Sequence, residues 1–221
     1  MAHTLTILDI AGVTHNVKRF RIEKPEGYSF EPGQATEIAI DKDGWRDEWR
    51  PFTFTSLTEE PYLEFTIKIY PDHDGVTEQI GKLREGERLI LDDPWGTIQY
   101  KGKGCFIAGG AGVTPFIAII RDLRARGELD GNTLVFSNQE ERDIILREEF
   151  EAADGLKCIF TVTEQPSSNL LNDLVDKAFL KKHVGDFEQQ FYVCGPPKMI
   201  EDVTAALKEL GADVDSITFE E

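Results

Sequence analysis

The stretch Gly104-Cys105-Phe106-Ile107-Ala108-Gly109-Gly110-Ala111-Gly112-Val113-Thr114-Pro115 decides how this chain is read. Residues 105–108 form an apolar run of strand character and residues 115–126 have helical spacing, so the glycines between them turn a strand into a helix. Glycine lets a backbone approach a pyrophosphate closely, and the start of a helix offers that anion unpaired N–H groups. Pro115 suits a first helical turn, where no N–H is needed. The spacing departs from G-x-G-x-x-G, and taken alone it also fits a glycine turn with only a packing role. Read for its chemistry, the stretch is a dinucleotide site.

Downstream of it, residues 133–137, 157–162 and 190–194 have strand character and alternate with helical spacing at 143–153, 170–181 and 197–210. Such alternation implies a parallel sheet with helices on both faces. The last of these strands runs into Cys194-Gly195-Pro196-Pro197 at the carboxyl edge of the sheet, where ligands of such sheets bind. A cysteine there also reads as a small core hydrophobe. Upstream, the β-rich runs 4–10, 17–22, 36–40, 52–56, 62–70 and 88–91 are separated by turn residues, with one short helix within 75–83. Short strands at this spacing predict a closed antiparallel barrel or sandwich. The chain therefore divides near Lys101 to Gly104, into an antiparallel β-barrel domain of residues 1–102 and an α/β parallel-sheet domain of residues 103–221.

In the first half, Arg50-Pro51-Phe52-Thr53-Phe54-Thr55-Ser56 combines a fixed cation, aromatic faces and hydroxyls. Arg pairs well with phosphate, and strand alternation separates Arg50, Phe52 and Phe54 from Thr53 and Thr55. The same residues read equally as a barrel strand with an ordinary salt bridge.

The bulk properties narrow the partners. A net charge of −17, from 41 acidic against 24 basic side chains, argues against nucleic acid and against an anionic membrane surface. Cys105, Cys158 and Cys194 are too few and too scattered for a disulfide framework or a four-cysteine metal site. The first residues lack a basic segment followed by an apolar one, and the longest uncharged run, 104–120, is short and broken by glycines and Pro115. The expectation is a monomeric cytoplasmic protein with no membrane insertion.

Taken in order, Pro32-Gly33-Gln34, Arg50-Pro51-Phe52-Thr53, Ile67-Lys68-Ile69-Tyr70, Gly75-Val76-Thr77, Pro94-Trp95-Gly96, Gly110-Ala111-Gly112-Val113-Thr114-Pro115 and Cys194-Gly195-Pro196-Pro197 span nearly the whole chain. Together they resemble the ferredoxin-NADP reductase superfamily, and within it the cytochrome b5 reductase and flavodoxin reductase types. The resemblance implies an NAD(P)H-dependent flavoprotein that holds FAD, with FMN less favoured, and passes electrons to a separate redox protein or small-molecule acceptor. It implies Arg50 at the flavin pyrophosphate and Phe52, where the family usually has Tyr, against the isoalloxazine. It places the Thr53 hydroxyl at flavin N5, and Tyr70 with the Gly75-Val76-Thr77 helix start at the flavin phosphates. Gly110 to Pro115 would cradle the nicotinamide dinucleotide pyrophosphate, Lys68 would touch one of its phosphates, and Cys194 would lie close to the nicotinamide.

Ser137 and Asn138 end the second strand of the parallel sheet, followed by Gln139-Glu140-Glu141-Arg142-Asp143. Neutral and acidic side chains there favour NADH, since an NADPH site usually presents Arg or Lys to the 2'-phosphate. Ser137 and Arg142 keep NADPH open. In the tail Ile217-Thr218-Phe219-Glu220-Glu221, Glu220 is a further candidate at the flavin, and a plain edge strand is the alternative. An alternative for the whole chain is a flavin-binding electron-transfer or regulatory subunit that does not itself oxidise NAD(P)H, against which the intact dinucleotide motifs count.

Overall fold

The computed structural model describes residues 2–71, 73–96, 98–166 and 169–220, with the side chain of Glu220 outside the description. Six strands make the first sheet: β1 (His3–Thr14), β2 (Val17–Glu23), β3 (Ala35–Ile40), β4 (Arg50–Thr53), β5 (Tyr62–Lys68) and β6 (Arg88–Leu91). They pair antiparallel in the order β4-β3-β6-β1-β2-β5. Alternate residues of these strands, among them Leu5, Ile7, Phe20, Ile22, Leu63 and Phe65, pack into one core, as the period of a strand requires. The short helix α1 (Val76–Gly81) adds Val76 and Ile80 to it.

The expected closed barrel is a sheet whose ladder stays open between β4 and β5. β4 is only four residues long, and beyond it the chain dives inward: Phe54 stacks on Phe30 with ring centroids 4.1 Å apart. A single bridge, Phe54 to Phe65, stands where a continuous ladder would close the sheet.

The second sheet consists of β7 (Gly104–Gly109), β8 (Asn132–Asn138), β9 (Leu156–Val162), β10 (Gln190–Cys194) and β11 (Ile217–Glu220). All pairings are parallel, in the order β11-β10-β7-β8-β9. The helices are α2 (Thr114–Arg126), α3 (Arg147–Glu151), α4 (Lys177–His183) and α5 (Pro197–Glu209). Strand alternation feeds two cores. Phe106, Ala108, Leu134, Phe136 and Tyr192 face one side, whereas Cys105, Ile107, Val135, Phe191 and Val193 face the other. The C-terminal residues do form an edge strand, β11, beside β10.

Two helices are shorter than their spacing suggests. The segment 143–153 holds only α3 and a preceding 3-10 turn, because Leu146 takes a left-handed φ of 53° that interrupts the helix. In 170–181 only α4 is helical. Leu171 bridges to Thr161, and the Asn172 amide donates to the Val162 carbonyl at 2.6 Å, so the first half of that segment is held extended along β9. Asp176 then caps α4 by accepting from the Phe179 amide at 2.8 Å.

The two sheets are joined tightly. The Tyr192 hydroxyl accepts from the Lys101 and Gly102 amides at 2.8 and 3.1 Å and donates to the Gly102 carbonyl at 2.8 Å, which pins the connecting segment to β10. Across the interface, Arg121 of α2 reaches Glu64 of β5 at 2.8 Å, and His15 lies 3.6 Å from Asp143.

Candidate functional site

β7, β8 and β9 run to one side of the parallel sheet, and the chain then crosses back to place β10 on the other side of β7. Ligands of such sheets bind at the carboxyl ends beside that reversal. Both glycine motifs end there. Gly110 has a left-handed φ of 52°, which turns the chain off β7. A Cβ on Gly112 would overlap the Cys194 carbonyl and stand 2.6 Å from the Gly195 Cα, and one on Gly109 would stand 2.5 Å from the Met199 sulfur. The two loops therefore meet backbone to backbone, with room for no side chain between them.

Over this contact opens a cavity of about 810 Å3. Gly109, Gly110, Ser137, Asn138 and Pro196 line it, and Lys68 reaches it from the end of β5, so the wall is built by both sheets. Asn138 is 6% exposed, yet among the described residues neither its amide nitrogen nor its carbonyl oxygen has a hydrogen-bond partner. A buried amide with both ends unpaired is costly, and its place in the cavity wall matches a polar ligand such as a ribose. The glycine cradle, the orphaned amide and Lys68 fit a nicotinamide dinucleotide.

The remaining sequence candidates of this half sit beneath the cavity. Val113 is buried in the core and Pro115 is buried in the first turn of α2, the Thr114 hydroxyl donates to the Ala111 carbonyl at 3.0 Å, and Gly112 lies under Cys194 and Gly195. Cys194 is half-buried against the same core and pairs in register with Glu220, whose side chain lies outside the described residues.

On the first sheet, the Arg50 guanidinium is half exposed, 2.6 Å from the Trp49 carbonyl and 3.5 Å from Glu48. Pro51 is exposed, Phe52 is half-buried, and among the described residues the Thr53 hydroxyl has no hydrogen-bond partner. The Tyr70 ring is 45% exposed with the Lys68 ammonium 5.5 Å from its centre. Gly75 and Thr77 flank the start of α1, whose first amides carry no side-chain cap. Ile67 and Val76 are core residues, so only their backbone is available to a ligand. A cation, accessible aromatic faces, an unpaired hydroxyl and uncapped amides are the donor set that a phosphorylated flat ring system requires. These residues do not line the dinucleotide cavity; Lys68 is the member of the first sheet that does.

Sequence reading missed part of the wall. Met199 comes round on α5 to face Gly109, and Leu174 lies in a segment that was expected to be helical. The Pro196-Pro197 helix start carries the signal for Met199, which stands three residues past Pro196. Nothing local marks Leu174.

Residues 4–100 match the Oxidoreductase FAD-binding domain family and residues 106–205 the Oxidoreductase NAD-binding domain family. NADH-cytochrome b5 reductase 2 of Emericella nidulans is 29% identical over 246 residues, covering 96% of this chain and 76% of that protein. NADH-cytochrome b5 reductase 1 of Homo sapiens is 28% identical over 241 residues, covering 90% and 78% respectively. A ferredoxin NADP+ reductase from Neisseria gonorrhoeae with bound FAD and NADP has the same fold, with a TM-score of 0.87 at 20% identity over 99% of this chain and 98% of that one. Among the described residues no helix is long and apolar enough to cross a membrane. With its two halves matched in order and the fold shared end to end, the chain belongs to the ferredoxin-NADP reductase superfamily, as an FAD-dependent NAD(P)H oxidoreductase.

Proposed function

We propose that the protein takes hydride from NADH onto FAD and passes the electrons singly to a separate cytochrome-type carrier. The observation that carries this reading is the cavity at the strand reversal, glycine-cradled on one side and reached by Lys68 from the first sheet on the other. When bound, the flavin supplies the conversion of a hydride pair into single electrons. The chain's own task is then to hold two flat molecules in register.

In this reading Arg50 pairs with the flavin pyrophosphate and Pro51 fixes the strand that carries it. Phe52 offers its ring to the isoalloxazine and the Thr53 hydroxyl bonds its N5 edge. Tyr70 and the Gly75-Val76-Thr77 backbone take the flavin phosphates, with Ile67 and Val76 supporting them from the core. Gly110, Gly112, Val113, Thr114, Pro115, Gly195 and Pro196 form the bed for the NADH pyrophosphate, and Lys68 contributes a charge to it. Ser137 and Asn138 bond the adenosine ribose, Cys194 lies at the nicotinamide, and Glu220 closes the flavin edge.

NADH is favoured over NADPH because the acidic Asp143 lines the cavity, while the nearby cation Arg142 turns to Glu140 at 2.7 Å. A 2'-phosphate there would meet a carboxylate. A cytochrome-type acceptor agrees with the relatives. Arg46 offers no free positive charge beside β4, because it is held by Asp41 and Asp43 at 2.8 and 2.5 Å, so the local charge favours a carrier whose own docking face is basic.

The test is anaerobic. Protein reconstituted with excess FAD should retain about one flavin per chain, bleach faster with NADH than with NADPH, and then reduce an added cytochrome b5. Failure to retain flavin would sink the reading, and equal rates with both coenzymes would remove the preference for NADH.

A further inference from the structure

Arg121 stands two turns into α2, the helix that the glycine loop starts, and its guanidinium ties together parts of the molecule far apart in sequence. Its Nη1 donates to the Thr55 carbonyl at 2.6 Å and to Glu64 Oε1 at 2.8 Å. Its Nε and Nη2 donate to the two carboxylate oxygens of Glu149, on α3, at 2.6 and 2.8 Å. Thr55 is held on every side: its amide donates to the Glu64 carbonyl at 2.8 Å, and its hydroxyl lies 3.1 Å from Glu64 Oε1 and 3.2 Å from the Thr66 hydroxyl. Glu64, only 2% exposed, is further bonded by Arg21 at 2.9 Å.

This clasp does not touch the dinucleotide cavity, and a buried ion pair is a poor device for stability alone, since apolar packing does as well. What it does is directional. Thr55 lies two residues beyond Thr53 on the strand that begins with Arg50, and Arg121 lies on the helix that leads out of Gly110 to Pro115. A forked guanidinium with four hydrogen bonds fixes both angle and distance between its partners.

We propose that Arg121 is a positioning residue for hydride transfer: the Arg121–Glu64–Glu149 clasp sets the flavin-carrying strand against the nicotinamide-carrying loop. The inference rests on the proposed function and adds to it a residue that holds the two halves in reacting register. Misplacement by about 1 Å can cost on the order of a hundredfold in rate.

The experiment compares the parent with the double substitution Arg121→Met with Glu64→Gln, which removes Arg121 and the Glu64 charge together and leaves Glu149 and Arg21, each about a third exposed, to water, and with Arg121→Lys, which keeps the charge and loses the fork. Flavin reduction by NADH is followed by stopped flow at matched FAD occupancy, alongside NAD+ affinity. All three tryptophans, Trp45, Trp49 and Trp95, lie in the first half of the chain. In urea unfolding of the apoprotein, tryptophan fluorescence therefore follows the first half while far-ultraviolet circular dichroism follows the whole chain, so the two curves part company, without flavin, when the halves unfold separately. The expected result is flavin reduction slowed about ten- to a hundredfold in the double variant and less in Arg121→Lys. NAD+ affinity should stay within about twofold, and the two unfolding transitions, coincident in the parent, should separate. Parent-like flavin reduction in both variants overturns the proposal even if the transitions separate, because the clasp would then join the halves without aligning them. If the double variant does not fold, Arg121→Lys decides alone. A parent that holds FAD but is not reduced by NADH or NADPH overturns the proposed function itself, and this inference with it.

Discussion

At the scale of single residues, the glycines of the two loops make different demands. Gly110 needs its left-handed φ of 52° but has open space where a Cβ would go, so alanine there costs only backbone strain, about 1–2 kcal/mol. Gly112 is the reverse case, since its Cβ would push into the Cys194 carbonyl and Gly195. Gly112→Ala should force the loops apart at a cost of about 1–3 kcal/mol. Where that cost falls on the bound state, it is about tenfold in NADH affinity. Titration with NAD+ of protein with full flavin content checks this, and unchanged affinity would mean that the loop contact is slack. Residue by residue, legibility followed context. Gly112 was legible because its chemistry is local. Glu64 was not: in Tyr62-Leu63-Glu64-Phe65-Thr66 it alternates with apolar residues and reads as a solvent-facing position on a strand. Arg121 of α2, Arg21 of β2 and the Thr55 hydroxyl close over it together, and no neighbouring residue announces them.

At the scale of elements, the same distinction separates right from wrong boundaries. β7, the glycine turn and α2 were readable because strand, turn and helix follow one another within a single short stretch. Residues 170–176 carry apolar positions at helical spacing but spend them otherwise: Leu171 pairs with β9, Leu174 lines the cavity and Val175 enters the core. Tertiary pairing overrides local period there, and the helix cannot begin until Asp176 supplies a cap. Asp176→Ala should therefore cost about 1 kcal/mol through loss of the bond to the Phe179 amide. Urea unfolding would show it as a lower midpoint at constant slope, whereas an unchanged midpoint would show that packing of Phe179 and Leu180 holds α4 without its cap. The open ladder between β4 and β5 has a similar origin. The alternation of Arg50 to Ser56 suggests a longer strand, but Phe54 is drawn into the aromatic cluster with Phe30 and Phe65 instead.

For the whole molecule, the carboxylate of Glu64 ties the stability of the two-domain arrangement to pH. Burial alone would push this carboxyl up, but the guanidiniums of Arg121 and Arg21 more than offset that and hold it below the ordinary range. From β2 it faces Arg21 at 2.9 Å and Arg19 at 3.8 Å, the latter shared with Asp9 of β1. From α2 it faces Arg121, behind which stands Glu149 of α3. The hydroxyls of Thr55 and Thr66 complete its surroundings. A carboxyl whose folded value lies below its unfolded one, near 4.3, contributes its full stability above that pH and loses it as the pH falls through the folded value. Glu64→Gln should thus be less stable than the parent at neutral pH, by about 1–3 kcal/mol, since Arg121 keeps its bonds to Glu149 and Thr55 while Arg21 loses its carboxylate. The difference should begin to shrink near pH 4 and continue to fall in stronger acid, as the parent's own Glu64 takes up a proton. Carboxylates remote from this cluster contribute equally to both proteins and cancel. Urea unfolding of parent and variant from neutral pH to pH 3 measures the difference directly, and a gap that stays constant across that range would show that Glu64 contributes shape rather than charge to the interface.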